Sequence, residues 1–120
     1  MNKKFNYLVI MPRHVQNIGD GYSFPLGIPY ISASMKNAGY KVFTLNLNHH
    51  EGKIFDIIKK EIEENKIDVA ATGGQSFQYI PVKEVIEAAK KVDGKIITIV
   101  GGGIITSDPE PAMDALEYVD

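Results

Sequence analysis

A chain of 120 residues suits one domain, and 44% hydrophobic against 23% charged residues is the balance of an ordinary globular fold with a real core. The absence of cysteine excludes disulfides and any zinc or iron–sulfur site held by thiolates of this stretch. A net charge of −2 gives nucleic acid no electrostatic footing, and no apolar run reaches the ~20 residues of a membrane span.

The opening Met1-Asn2-Lys3-Lys4 lacks the features of a signal peptide, so the cytoplasm is the expected address. Four apolar runs of strand length follow: Tyr7–Met11, Val42–Leu45, Val69–Thr72 and Ile96–Val100. Each is nearly continuous rather than alternating, the pattern of parallel strands covered on both faces. Between the first two, Ile28, Ile31, Met35 and Ala38 form an apolar helical stripe that Gly39 ends. Ile54, Ile58 and Ile62 repeat at four for a second helix, and Val82, Val85, Ile86, Ala89 and Val92 make the third, closed by Asp93-Gly94. Lys59-Lys60-Glu61 and Glu63-Glu64 read as a solvated helix face.

Alternating strands and helices mean βαβ units, and right-handed crossovers assemble them into a doubly wound α/β sheet. The expectation from the pattern is a doubly wound parallel sheet, with a fifth strand to follow. Near the end, Asp108-Pro109 reads as a helix start, with Ser107 and Glu110 spaced for a capping box. Tyr118-Val119-Asp120 resembles the beginning of that fifth strand. The chain is therefore expected to be a fragment of a longer protein, 1–120 forming one domain.

Ligands of open parallel sheets bind beyond the strands' C-terminal ends. The connection from Pro12 to Gly27 is far longer than the ~2–6 residues usual between strand and helix. Gly73-Gly74-Gln75-Ser76-Phe77 follows the third strand and Gly101-Gly102-Gly103 the fourth, and glycine lets backbone approach a ligand closely. One glycine pair after a strand is usually only a turn; the convergence of three such loops on one crevice points to a binding site. Neither GxGxxG after the first strand nor a GxxxxGK[ST] loop is present, which disfavours a dinucleotide and excludes a P-loop. His49-His50-Glu51 has no evident third ligand for a metal and reads as an exposed helix start, while His14 stands at the mouth of the crevice as a ligand, a base or an exposed loop histidine. No paired carboxylates or Ser-His-Asp set stands out, so no catalytic machinery is expected in this stretch.

Phe24-Pro25-Leu26-Gly27-Ile28-Pro29-Tyr30-Ile31-Ser32-Ala33, running on through Met35 to Gly39-Tyr40, resembles the P-P-L-G-L-x-Y-L-A-A opening of cobalamin-binding domains fused to radical-SAM enzymes. Phe24 stands where that pattern has its first proline. Val100-Gly101-Gly102-Gly103, Thr106, Pro109-Glu110 and Val119-Asp120 are similar to the same family's G-G-x-x-x-T-x-x-P-E … V-D run. The resemblance implies an α/β flavodoxin-like or Rossmann-like three-layer sandwich of strand order 2-1-3-4, with a fifth strand beyond, and a corrinoid over the strand ends. Its nucleotide tail would be flanked by Gly73, Gly74, Gln75 and Ser76 on one side and by Gly101, Gly102, Gly103 and Thr106 on the other, with Leu26 and Gly27 nearby. It further implies a downstream radical-SAM domain with a [4Fe-4S] cluster and S-adenosylmethionine, in an enzyme such as a methyltransferase or an anaerobic magnesium-protoporphyrin ester cyclase.

Other cobalamin enzymes supply a cobalt ligand from D-x-H-x-x-G after the first strand. Here Pro12 stands two residues before His14, and Gly19 lies too far on. The implied cofactor is therefore base-off and without a protein imidazole. Two other readings remain: a flavodoxin-like or nucleotide-binding domain without corrinoid, and a response-regulator-like domain, for which Met11 and Thr72 occupy strand ends that need acidic residues. The fourth strand, left as a bare edge, is expected to promote self-association.

Overall fold

The computed structural model describes residues 4–120. Strand β1 spans Asn6–Met11, β2 Lys41–Asn46, β3 Val69–Gly73 and β4 Ile97–Gly101. They form one parallel sheet in the order β2-β1-β3-β4, as the sequence leads one to expect. Helix α1 (Gly27–Asn37) connects β1 to β2, α2 (Ile54–Asn65) connects β2 to β3, and α3 (Tyr79–Val92) connects β3 to β4. Two short helices follow β4, α4 over Gly103–Thr106 and α5 over Pro109–Ala115.

The order of the strands decides which face each helix covers. The step from β1 to β2 runs one way along the sheet, and the steps to β3 and β4 run the other, so right-handed crossovers place α1 opposite α2 and α3. The core agrees. Leu8, Ile10, Leu45, Ala70 and Ile96 are buried against Ile58 and Ile62 of α2 and Val85, Ala88 and Ala89 of α3. A second cluster of Val82, Ile104 and Leu116 ties α3 to the short helices. Strand alternation then turns Val9, Met11, Ala71, Gly73, Ile97, Ile99 and Gly101 to the α1 side.

That side differs from expectation in α1. The spacing predicts an inward stripe of Ile28, Ile31, Met35 and Ala38, yet Ser32 is the helix's one buried residue, Ile28 and Met35 are half-buried, Ala38 is exposed, and Ile31 is 56% exposed. The helix turns inward along 28, 32 and 35, and Ile31, about 60° round from Ile28, falls on the shoulder. The second departure concerns residues 49–51. Leu47–His49 form a 3-10 turn capped by the Asn46 side chain, and α2 begins only at Ile54, so His50-Glu51-Gly52 is a loop rather than a helix start. At α5 Pro109 occupies the first turn as expected, but neither Asp108 nor Ser107 makes a side-chain cap.

Residues 118–120 lie along the outer edge of β4. The outward N–H of Thr98 donates to the Asp120 carboxylate, and the Asp120 N–H donates back to the Thr98 carbonyl at 3.1 Å. Lys90 pairs with the same carboxylate, and this pairing, then the Thr98 N–H, holds the Asp120 pKa below its ordinary value. The β4 edge is therefore not bare at Thr98. What is bare is the face: Ile97 is 40% and Ile99 49% exposed.

Candidate cofactor-binding site

The ends of β3 and β4 meet backbone to backbone. Gly73 and Gly101 are paired strand residues, the Gly74 N–H donates to the Gly101 carbonyl at 3.4 Å, and the Ile104 N–H donates to the Gly74 carbonyl at 2.9 Å. Glycine is what permits this. A Cβ at Gly73 would lie 2.5 Å from the Gly101 oxygen, one at Gly74 2.7 Å from Gln78 Oε1, and one at Gly103 inside the Gln75 side chain. Gly102 sits at φ +91° with the Gly74 oxygen 2.9 Å from where its Cβ would be. Gly73, Gly102 and Gly103 thus let the two loops touch each other, and Gly74 makes room for the Gln78 side chain.

Gly101 differs: a Cβ there would meet nothing within 4 Å, and strand alternation directs it to the α1 side. The ground on that side is apolar and low. Ala71 and Gly73 lie beside Ile99 and Gly101, and on this side Ile97 and Ile99 of β4 are left exposed. Gly27 also faces open space, and Leu26 ahead of it is 64% exposed. Ser76 is exposed at the first residue of the 3-10 turn Ser76–Gln78 that leads into α3, and Thr106 is exposed at the end of α4. The structure thus brings Gly73, Gly74, Gln75, Gly101, Gly102 and Gly103 into one contact set and leaves Leu26, Gly27, Ser76 and Thr106 exposed outside it.

The long loop is buckled to the turn after β2. Arg13 donates from Nε to the Leu47 carbonyl (3.2 Å), from Nη1 to Gly52 (2.9 Å) and from Nη2 to His50. Asn48, fully buried, donates to the Pro12 carbonyl at 3.0 Å and accepts the His14 N–H at 2.7 Å. Farther along, the Tyr22 hydroxyl accepts from Asn46 and meets His49 Nε2 at 2.9 Å. Sequence reasoning named His14 here but missed Arg13, Asn46, Asn48 and Gln78. Two signals were available, a pair of asparagines at a strand end and a Gln75-x-x-Gln78 spacing of capping-box type.

Whether a corrinoid suits these residues can be judged from their shape and chemistry. A flat benzimidazole needs an apolar slot without side chains, which the open ground above Gly101, with the small residue Ala71 nearby, offers. A phosphate needs N–H and hydroxyl donors, which the Ser76 end of α3 offers. A family model described as the B12 binding domain matches residues 19–120. The chain belongs to the B12-binding domain family. No curated protein is similar to it in sequence.

Among solved structures, this B12-binding domain superposes on the radical S-adenosylmethionine methyltransferase TsrM from Kitasatospora setae, solved with cobalamin and a [4Fe-4S] cluster bound. The TM-score is 0.78 at 13% identity, over 96% of this chain and 23% of that one. A second TsrM structure, with tryptophan substrate and the SAM analogue aza-SAM, gives 0.77 at 13% identity, over 95% and 22%. A carbon–sulfur lyase involved in aluminum resistance from Clostridium novyi NT gives 0.52 at 17% identity, over 95% and 29%. The likeness is one of fold, and the chain spans less than a quarter of TsrM.

Proposed function

We propose that this domain binds cobalamin as the N-terminal module of a longer radical-SAM enzyme whose remaining segments supply a [4Fe-4S] cluster and an S-adenosylmethionine site. The observation that supports it most is the open, side-chain-free ground above Gly101 in a chain of the B12-binding family. Bound cobalamin supplies a cobalt able to carry and transfer an alkyl group. On this reading Gly101 and Ala71 floor the slot for the nucleotide tail, Gly73 lets the neighbouring strand end lie close beneath it, and Leu26 and Gly27 face it from the start of α1. Ser76 and Thr106 offer hydroxyls at the rim, while Gly74, Gln75, Gly102 and Gly103 hold the two loops together beneath. The loop from Pro12 to Gly27, carrying Tyr22, Phe24 and Leu26, covers the cofactor's lower face and leaves cobalt without a protein imidazole. Self-association through the uncovered sheet face is part of the same proposal.

The test is the visible spectrum of the full-length protein after hydroxocobalamin is added and excess is removed. Retained corrinoid with a base-off spectrum is the expected result; no retained corrinoid would overturn the reading. The radical-SAM assignment is tested separately: a C-x-x-x-C-x-x-C motif is the expected finding in the parent sequence downstream of this domain, and its absence there would overturn that part of the reading.

A further inference from the structure

His14 and Gln78 come together across the C-terminal ends of β1 and β3, with His14 Nε2 at 3.5 Å from Gln78 Nε2. His14 is held through its backbone and Gln78 through its amide. The backbone at 12–14 is held by Asn48 and Arg13, as described. The Gln78 amide is oriented by its other end, because the Gln75 N–H donates to it at 2.8 Å. A backbone N–H is only a donor, so the atom facing it must be the amide oxygen. The amide NH2 therefore faces the imidazole. An N–H on His14 Nε2 would set two donors against each other. The favourable arrangement has a lone pair on Nε2 and the proton on Nδ1.

We infer that Gln78 is a positioning residue that holds His14 as the neutral Nδ1–H tautomer with its Nε2 lone pair occupied, so that His14 does not serve as a cobalt ligand. Burial favours the same neutral form, since it lowers the His14 pKa from its usual 6.5. The tautomer requires nothing beyond the chain itself. Its consequence for cobalt rests on the corrinoid reading above. The inference gives that reading a physical cause: the nitrogen is withheld by an amide locked in place by the β3 loop, and not merely by the absence of D-x-H-x-x-G.

Two measurements separate the parts. The chain carries three histidines, so nitrogen NMR of the 15N-histidine-labelled protein, with His14→Ala for assignment, reads the tautomer directly. The expected result at neutral pH is an unprotonated Nε2 and a protonated Nδ1. In Gln78→Glu the carboxylate accepts, and Nε2 is expected to become protonated. A parent His14 protonated at Nε2, or a folded Gln78→Glu with the parent's tautomer, overturns the inference whether or not cobalamin binds. Electron paramagnetic resonance of the cob(II)alamin complex of the full-length protein then reads the metal. The cobalt lines are expected without axial-nitrogen splitting. Triplets that become doublets on 15N-histidine labelling and vanish in His14→Ala would make His14 a ligand and overturn it. Failure to bind cobalamin would instead overturn the function proposed above, with the tautomer result unaffected.

Discussion

A side chain at Gly102 would have to adopt φ +91° with its Cβ 2.9 Å from the Gly74 oxygen, whereas one at Gly101 would meet nothing within 4 Å. These neighbours therefore separate folding from binding. Gly102→Val is expected to cost on the order of 2–3 kcal/mol, because a β-branched residue resists positive φ and the β3 and β4 loops must part. Thermal unfolding of the variant checks this. Gly101→Val is expected to unfold close to the parent while losing cobalamin at least tenfold, measured by retained absorbance in the full-length protein. A folded Gly101→Val that keeps the parent's affinity would move the tail away from this ground. At His14 the sign of the pH effect follows from its lowered pKa. A group whose folded pKa lies below its unfolded value stabilises the fold above the unfolded value, and that stability is lost as pH falls through the folded one. Unfolding midpoints should therefore drop as pH falls below about 6.5, the ordinary value for histidine, and His14→Ala should flatten that part of the profile.

Among the elements, strands and the α2 and α3 stripes were legible because both depend on burial, and burial leaves apolar runs that a sequence displays. Ile58, Ile62, Val82, Val85, Ile86 and Ala89 are all buried as their spacing demands. Where an element is held by polar groups the sequence says less. Asn48 is as buried as the core leucines and is satisfied by Pro12, Asn46 and His14, contacts between loops that only the fold brings together. The glycine runs were legible as a site, but not the division of labour within them, since positive φ and interloop contact are properties of the folded backbone. Asn48→Ala is expected to cost about 2–4 kcal/mol, because it strands the Pro12 carbonyl and the His14 N–H away from water. Denaturant unfolding reads this, and a loss below ~1 kcal/mol would mean that Arg13 alone buckles the loop. The end of α2 yields the opposite sign. Lys66 is the one non-glycine residue at positive φ among those described, φ 50°, and its conformation closes the helix. Lys66→Gly removes the steric cost of left-handed backbone at the expense of some unfolded-state entropy, for an expected net gain of up to about 1 kcal/mol in the same assay.

Across the whole molecule, the two faces of the sheet are treated unequally. The face under α2 and α3 is sealed, whereas the α1 side leaves Ile97 and Ile99 in water, although parallel sheets bury both faces. Tyr30 at 73% and Ile31 at 56% exposure add apolar surface on the helix of that same side. Apolar area of this kind is worth roughly 25 cal/mol per Å2 when removed from water, so a second copy laid face to face gains from burying it. The sequence expectation of association through the β4 edge is thereby redirected, since Asp120 already occupies the edge at Thr98 while Ile99 on the face stays about half exposed. For the 120-residue chain, sedimentation velocity should show a weight-average coefficient that rises with concentration. Ile99→Lys should abolish the rise with little change in stability, because at a position 49% exposed the lysine stem can lie on the sheet while its ammonium stays in water. Cobalamin should act in the same direction by mass action if its tail takes the ground beside Ile99, dissociating the dimer it competes with. A parent that stays monomeric at high concentration would mean that the exposed strip is too small to hold two copies together. A dimer unchanged in Ile99→Lys would return the contact to the strand edge beyond Thr98.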